Sequence, residues 1–146
     1  MNKIYAFLII LPIIALLIFR SIALYDFDTK QRYIKNSVDS AAHKTMITGV
    51  YTALDKSQLV IKLNQLDNFN EADILLQYGS VNADGQLSEL MPYTPGDILQ
   101  RGQVFKITVM SHDESLLSQI RNNNEGSGKL CFKAQALCRI EKRYES

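Results

Sequence analysis

The 146-residue chain has no tryptophan, two cysteines, three prolines and seven glycines. With so few cysteines a disulfide-dense secreted scaffold is excluded. With so few prolines and glycines a collagen-like or low-complexity chain is excluded. No Asn-x-Ser/Thr sequon occurs, in keeping with a bacterial envelope protein. The formal net charge is +1, so the chain has no bulk attraction to nucleic acid. Lys129, Lys133, Arg139, Lys142 and Arg143 gather late without interleaved aromatics, which reads as a solvated strand face. There is no Gly-rich phosphate loop and no HExxH motif.

The strongest positive feature is itself a lack of charge. From Ile4 to Phe19 the chain reads IYAFLIILPIIALLIF. As a helix this run spans roughly 24 Å, and continuing through Tyr25 brings it to about 33 Å, enough to cross a bilayer core. Arg20 interrupts the extension, but its long stem reaches toward headgroups. Tyr5 and Tyr25 suit the two interfaces. A cleaved signal peptide is the competing reading, with Lys3 before the run and Ser21-Ile22-Ala23 as a small-x-small site. Arg20 beside that site and the length of the run favour a retained anchor over residues 1–25. The positive-inside rule alone would keep the domain cytoplasmic, since Arg20, Lys30, Arg32 and Lys35 follow the run. The very short tail before the run instead resembles a signal anchor, and we expect an extracytoplasmic domain.

Between Ile4 and Leu54 only Pro12 and Gly49 oppose a helix. Beyond the apolar run, Ile34, Val38, Ala41, Ala42, Thr45 and Gly49 recur at helical spacing, which predicts an amphipathic continuation over 26–54. The small residues of this stripe suit close approach of another backbone. Asp55-Lys56-Ser57-Gln58 opens a second helix with Val60, Leu63 and Leu66 on its apolar face. Ile74–Leu76 predicts a strand, and Asn82-Ala83-Asp84-Gly85 a hairpin closed against Gln86–Leu90. Phe105, Ile107 and Val109 alternate with Lys106, Thr108 and Met110 as a strand. Glu114–Arg121 predicts a short helix and Asn122–Gly128 a polar loop. Phe132, Ala134, Ala136, Cys138 and Ile140 alternate along a terminal strand, expected antiparallel to the Phe105 strand. The fold class is therefore α+β: a long helix on a small antiparallel sheet, the sheet within a domain over 55–146.

Candidate chemistry is sparse. Cys131 and Cys138 invite a disulfide, but seven residues of extended strand separate them by about 23 Å and on opposite faces, whereas a bridge needs Cα atoms within roughly 7 Å. An internal bridge, two buried thiols and a bond between chains stay open. His43 follows Asp39 by one helical turn and reads as a surface pair. Ser111-His112-Asp113-Glu114-Ser115 holds hydrolase residue types, but adjacent residues do not converge as a triad, and Ser111 or Asp113 reads as a helix cap. Asp67-Asn68-Phe69-Asn70-Glu71 lacks the glycine and late glutamate of a calcium loop. We expect no catalytic residues, no metal and no cofactor.

The long helix and small sheet resemble type IV pilin-like subunits. The apolar segment followed by Ser37-Val38-Asp39-Ser40-Ala41-Ala42-His43 is most similar to the TadE-like minor pseudopilins of tight-adherence pili. The resemblance covers residues 4–54 in sequence and the remainder in plan. It does not extend to the leader, since Met1-Asn2-Lys3-Ile4 has no Gly and the run has no Glu. It implies a non-catalytic membrane subunit acting by helix packing through Pro12, Val38, Ala41, Ala42, Thr45 and Gly49. The implied partners are the lipid bilayer and other pilin-like subunits, including further copies of itself, with no nucleic acid and no small-molecule substrate. The alternative is a single-pass envelope module whose β-rich domain captures a cell-wall or protein partner.

Overall fold

The computed structural model describes residues 2–82, 85–111 and 131–141, with side chains from Phe7 onward. Helix α1 runs without a break over Asn2–Thr48. At ~1.5 Å per residue it is a rod of about 70 Å. Gly49 ends it: its φ of 72° is left-handed, and its N–H donates to the Thr45 carbonyl at 2.8 Å. Any residue with a Cβ is strained there, so glycine is the natural stop. The helix therefore stops short of Leu54. A second helix, α2 (Ala53–Leu63), begins earlier than Asp55 because Thr52 caps it. The Thr52 hydroxyl accepts from the Asp55 N–H, and the Asp55 carboxylate accepts from the Thr52 N–H, a reciprocal capping box.

Four strands follow: β1 (Ile74–Gly79), β2 (Met91–Pro92), β3 (Val104–Met110) and β4 (Lys133–Arg139). They form one antiparallel sheet in the order β2-β1-β3-β4. The α+β architecture and the pairing of the two alternating strands are as the sequence predicts. Among the described residues the predicted turn closes a short pairing, in which Val81 bridges Leu87, the Asn82 N–H donates to the Gln86 carbonyl and the Ser88 N–H to the Ser80 carbonyl. The ordered partner of β1 on that side is Met91–Pro92. The segments 114–121 and 122–128 lie outside the described residues.

α1 lies across β4 and β3, and β4 runs in the same direction as the helix. Gln31 meets Lys133, Ala42 meets Cys138, and Met46 meets Glu141 in the same sequence order. The core sits between helix and sheet. Ile34, Val38 and Ala42 enter from α1, Leu59 and Leu63 from α2, and Leu76, Phe105, Ile107, Val109, Ala134 and Ala136 from the sheet. Far from the apolar run, Tyr51 and Tyr93 pack on Phe105, with ring centroids 5.6 and 5.0 Å away. The Tyr93 hydroxyl accepts the Tyr51 N–H at 3.0 Å and donates to the Asp97 carbonyl at 2.6 Å, tying the turn after α1 to the loop before β3.

Candidate functional site

Two surfaces stand out, the uncovered half of α1 and the cleft between α1 and α2. In the first, every large apolar residue from Phe7 to Leu24 is exposed, Phe7 to 65% and Leu17 to 58%. Soluble monomers rarely expose a contiguous apolar patch larger than a few hundred Å². Pro12 sits inside the helix without breaking it. It lacks the N–H that would bond Leu8, so a carbonyl in the middle of the apolar stretch has no helical donor. Among the described residues this is one helix long and apolar enough to cross a membrane, it lies near the start of the chain, and none of its apolar window is buried. A signal sequence has the same length and composition.

Polar character returns at the end of this stretch. Asp26 pairs with Lys30 and Asp28 with Arg32, each at 2.9 Å and one turn apart. Such exposed pairs contribute about 0.3–0.5 kcal/mol each. Their larger effect is to neutralise both aspartates beside the apolar stem.

The small-residue stripe serves a different purpose from the one its spacing suggests. Val38, Ala42 and Thr45 are buried against this chain's own sheet, and Ala41 is half-buried beside α2. The Cys138 thiol donates to the Ala42 carbonyl at 3.2 Å, a contact that a larger side chain at position 42 would crowd. The Thr45 hydroxyl turns back to the Ala41 carbonyl at 3.0 Å. Gly49 is buried and ends the helix, its φ of 72° being the left-handed conformation of a terminator. Close approach is therefore used within the domain, by β4 on α1. Of the six predicted packing residues only Pro12 lies on an uncovered surface.

The cleft between α1 and α2 holds about 100 Å³ and is lined by Ser37, Ser40, Lys44, Tyr51, Gln58 and Lys62 among others. Lys44 donates to the Asp55 carboxylate across it. Burial opposes ionisation of Asp55, but hydrogen bonds from Lys44 and Thr52 outweigh it and hold its carboxyl below the usual range. Burial, with the Asp55 charge nearby, pushes the Tyr51 hydroxyl well above its ordinary pKa. That hydroxyl has no hydrogen-bond partner among the described residues. The volume suits a few waters and is well below an ordinary ligand pocket of ~300 Å³ or more. Lys44 is engaged as the clamp between helices. The sequence reading missed this clamp, although the Thr52-x-x-Asp55 spacing signalled half of it.

The remaining candidates separate. Cys131 and Cys138 are both free thiols. Cys131 precedes β4 and Cys138 lies near its end, so the extended strand keeps them apart and the internal bridge does not form. Burial pushes the Cys138 thiol up to about 11. Asp39 pairs with Lys35 at 3.5 Å, leaving His43 exposed on the helix surface. The Ser111 N–H donates to the Phe132 carbonyl, while residues 112–115 lie outside the described residues. In the Asp67–Glu71 loop the side chains bond backbone: Asp67 accepts from the Asn68 N–H at 2.9 Å and Asn64 from the Phe69 N–H at 2.6 Å. Among the described residues no cluster of three or more His, Cys, Asp or Glu is placed to hold a metal.

Comparison of the chain with family models, with curated proteins and with solved structures gives no match.

Proposed function

We propose that this chain is a non-catalytic, single-pass membrane subunit of pilin-like, TadE-type plan. It takes part in assembling a pilus or envelope secretion machine, with its sheet domain outside the cytoplasm. The observation that carries the reading is the unbroken α1: one half is apolar and uncovered on all sides, and the other half is built into a sheet domain. A helix satisfies its own backbone hydrogen bonds, so the first half suits lipid, apart from the Leu8 carbonyl that Pro12 leaves without a helical donor. Packing between subunits then falls to the stem around Pro12, because the Val38–Thr45 stripe is occupied within the chain.

Cross-linking in native membranes tests this. Single cysteines are placed at successive stem positions from Ile10 to Leu17 in a Cys131→Ser, Cys138→Ala background. The reading expects oxidative adducts that rise and fall with helical period, and a chain that resists carbonate extraction. Release by carbonate, or a mature terminus after Ala23 by mass spectrometry, would overturn it. Protease added to intact cells should digest the sheet domain, and digestion only after lysis would reverse the orientation.

A further inference from the structure

We infer that the stem-proximal end of the sheet domain rests on the headgroup layer of the bilayer that holds the stem. This rests on the anchoring reading above. The contact is formed by Phe27 and, at the exposed end of the sheet, by Met110 and Lys133.

The first argument is the absence of a linker. The uncovered stretch ends at Tyr25, and Phe27 is already stacked on Phe132, centroids 4.9 Å apart and planes 18° from parallel. One turn on, the Gln31 side-chain amide donates to the Lys133 carbonyl at 2.5 Å. Helix and sheet are joined from that point onward, and α1 has no break at which the domain could swing away.

The second argument is length. A ~30 Å hydrocarbon core takes about 20 helical residues, which places its edge near Leu24 when Tyr5 marks the other side. Phe27 then lies about 4 Å beyond that edge and Gln31 about 10 Å beyond it. A headgroup layer is ~5–8 Å thick in each leaflet. The Phe27–Phe132 pair falls within it, and the Gln31–Lys133 contact lies just beyond it, within reach of the long Lys133 side chain.

The third argument is what the end of the sheet presents. Met110 pairs with Lys133 at this end, and Ile74 pairs with Val109 beside them. Met110 and the neighbouring Leu75 are exposed apolar residues. Arg20 and Lys133 have no ion pair among the described residues, whereas Asp26 and Asp28 are matched by Lys30 and Arg32. Among the described residues this end is therefore mildly apolar, with the unpaired Lys133 placed to meet a headgroup phosphate. The opposite end, where Ile98 bridges Val50, lies ~33 Å farther along the helix axis.

The test uses the full chain in vesicles of phosphatidylcholine with a minority of phosphatidylglycerol. A fluorophore is attached at Met110→Cys, at Leu75→Cys or at Ile98→Cys in the Cys131→Ser, Cys138→Ala background. Headgroup-attached spin-labelled lipid is the quencher, and flotation reports binding. The inference expects quenching several-fold stronger at positions 110 and 75 than at 98. A floating protein with equal quenching at all three positions overturns the inference and leaves anchoring intact. A protein that does not float overturns both.

Discussion

The two halves of α1 share one backbone conformation and differ in everything that holds it. From Ile34 to Thr45 the helix buries one narrow stripe, residues 34, 38, 42 and 45, and turns Lys35, Asp39, His43 and Lys44 to water. From Phe7 to Phe19 it is apolar all round, and from Phe7 to Leu24 none of its large apolar side chains is buried. The lower half is stabilised by what it covers, as most helices in proteins are. The upper half gains nothing from its own chain, and the anchoring proposal places it in lipid. A helix in lipid needs no sequence period, because any apolar face meets the same solvent. A helix on a sheet needs a strict one. On the anchoring proposal, the change from unpatterned to patterned apolarity near Tyr25 marks a change of solvent.

That contrast can be broken most severely in the lower half. Ile34→Ala leaves a cavity between α1 and the sheet and should cost about 2–5 kcal/mol. Thermal unfolding in detergent would register it as a large fall in Tm. The matched change Ile14→Ala removes a side chain that touches no part of the domain and should leave the Tm unchanged within about 0.5 kcal/mol. Equal losses at both positions would mean that the stem folds back on the domain. Ile14→Arg reverses the sensitivity. A charge in the centre of the stem should disfavour insertion by ~3 kcal/mol, read as loss from the carbonate-resistant membrane fraction, while the sheet domain keeps its Tm.

Patterned segments were the legible ones. Phe105, Ile107 and Val109 alternate because one face of β3 meets α1, and Ala134 and Ala136 alternate on β4 for the same reason. Their antiparallel pairing was legible too. The place of β1 between β2 and β3 was not, because that pairing is set by burial of Ile74 and Leu76 and not by the nearest turn. The Asn82–Gly85 turn is real, yet it closes a short pairing and leaves the pairing of β1 to Met91–Pro92. At the candidate surfaces, the stem was visible from composition alone. The small-residue stripe was visible, but periodicity gives a buried face and not the identity of what buries it, and here this chain's own sheet covers Val38, Ala42 and Thr45. Gly49 fits the stripe by spacing, and only its positive φ reveals a terminator. The Lys44–Asp55 clamp joins two elements, so no local pattern contains both partners.

Gly49→Ala sharpens the boundary at the far end of the rod. A left-handed φ costs a non-glycine residue about 1–2 kcal/mol. The Leu99 N–H donates to the Gly49 carbonyl at 2.8 Å, so the strain cannot be relieved by extending α1 without losing that tie to the loop before β3. The expected result is a moderate fall in Tm with membrane retention unchanged. A variant as stable as the parent would show that α1 can run on toward Leu54.

The smallest effect depends on pH and separates the two halves by charge. The carboxyl of Asp55 is held below its ordinary value in the folded chain. Its clamp with Lys44 therefore contributes fully at pH above the unfolded value of ~4 and is lost as pH falls through the lower folded value. Asp55→Asn keeps an acceptor for Thr52 but removes the charge that Lys44 meets, so it should cost about 1 kcal/mol at neutral pH. The gap between parent and variant should begin to narrow below about pH 4 and close once pH falls past the lower folded value, because protonation then removes the same charge from the parent. No ionisable group lies between Phe7 and Phe19, so the membrane-retained fraction of both proteins should stay flat across that range. A gap that persists into acid would assign the loss to cap geometry at Thr52, and the Lys44 contact would then be a consequence of how α2 is started and not what holds it against α1.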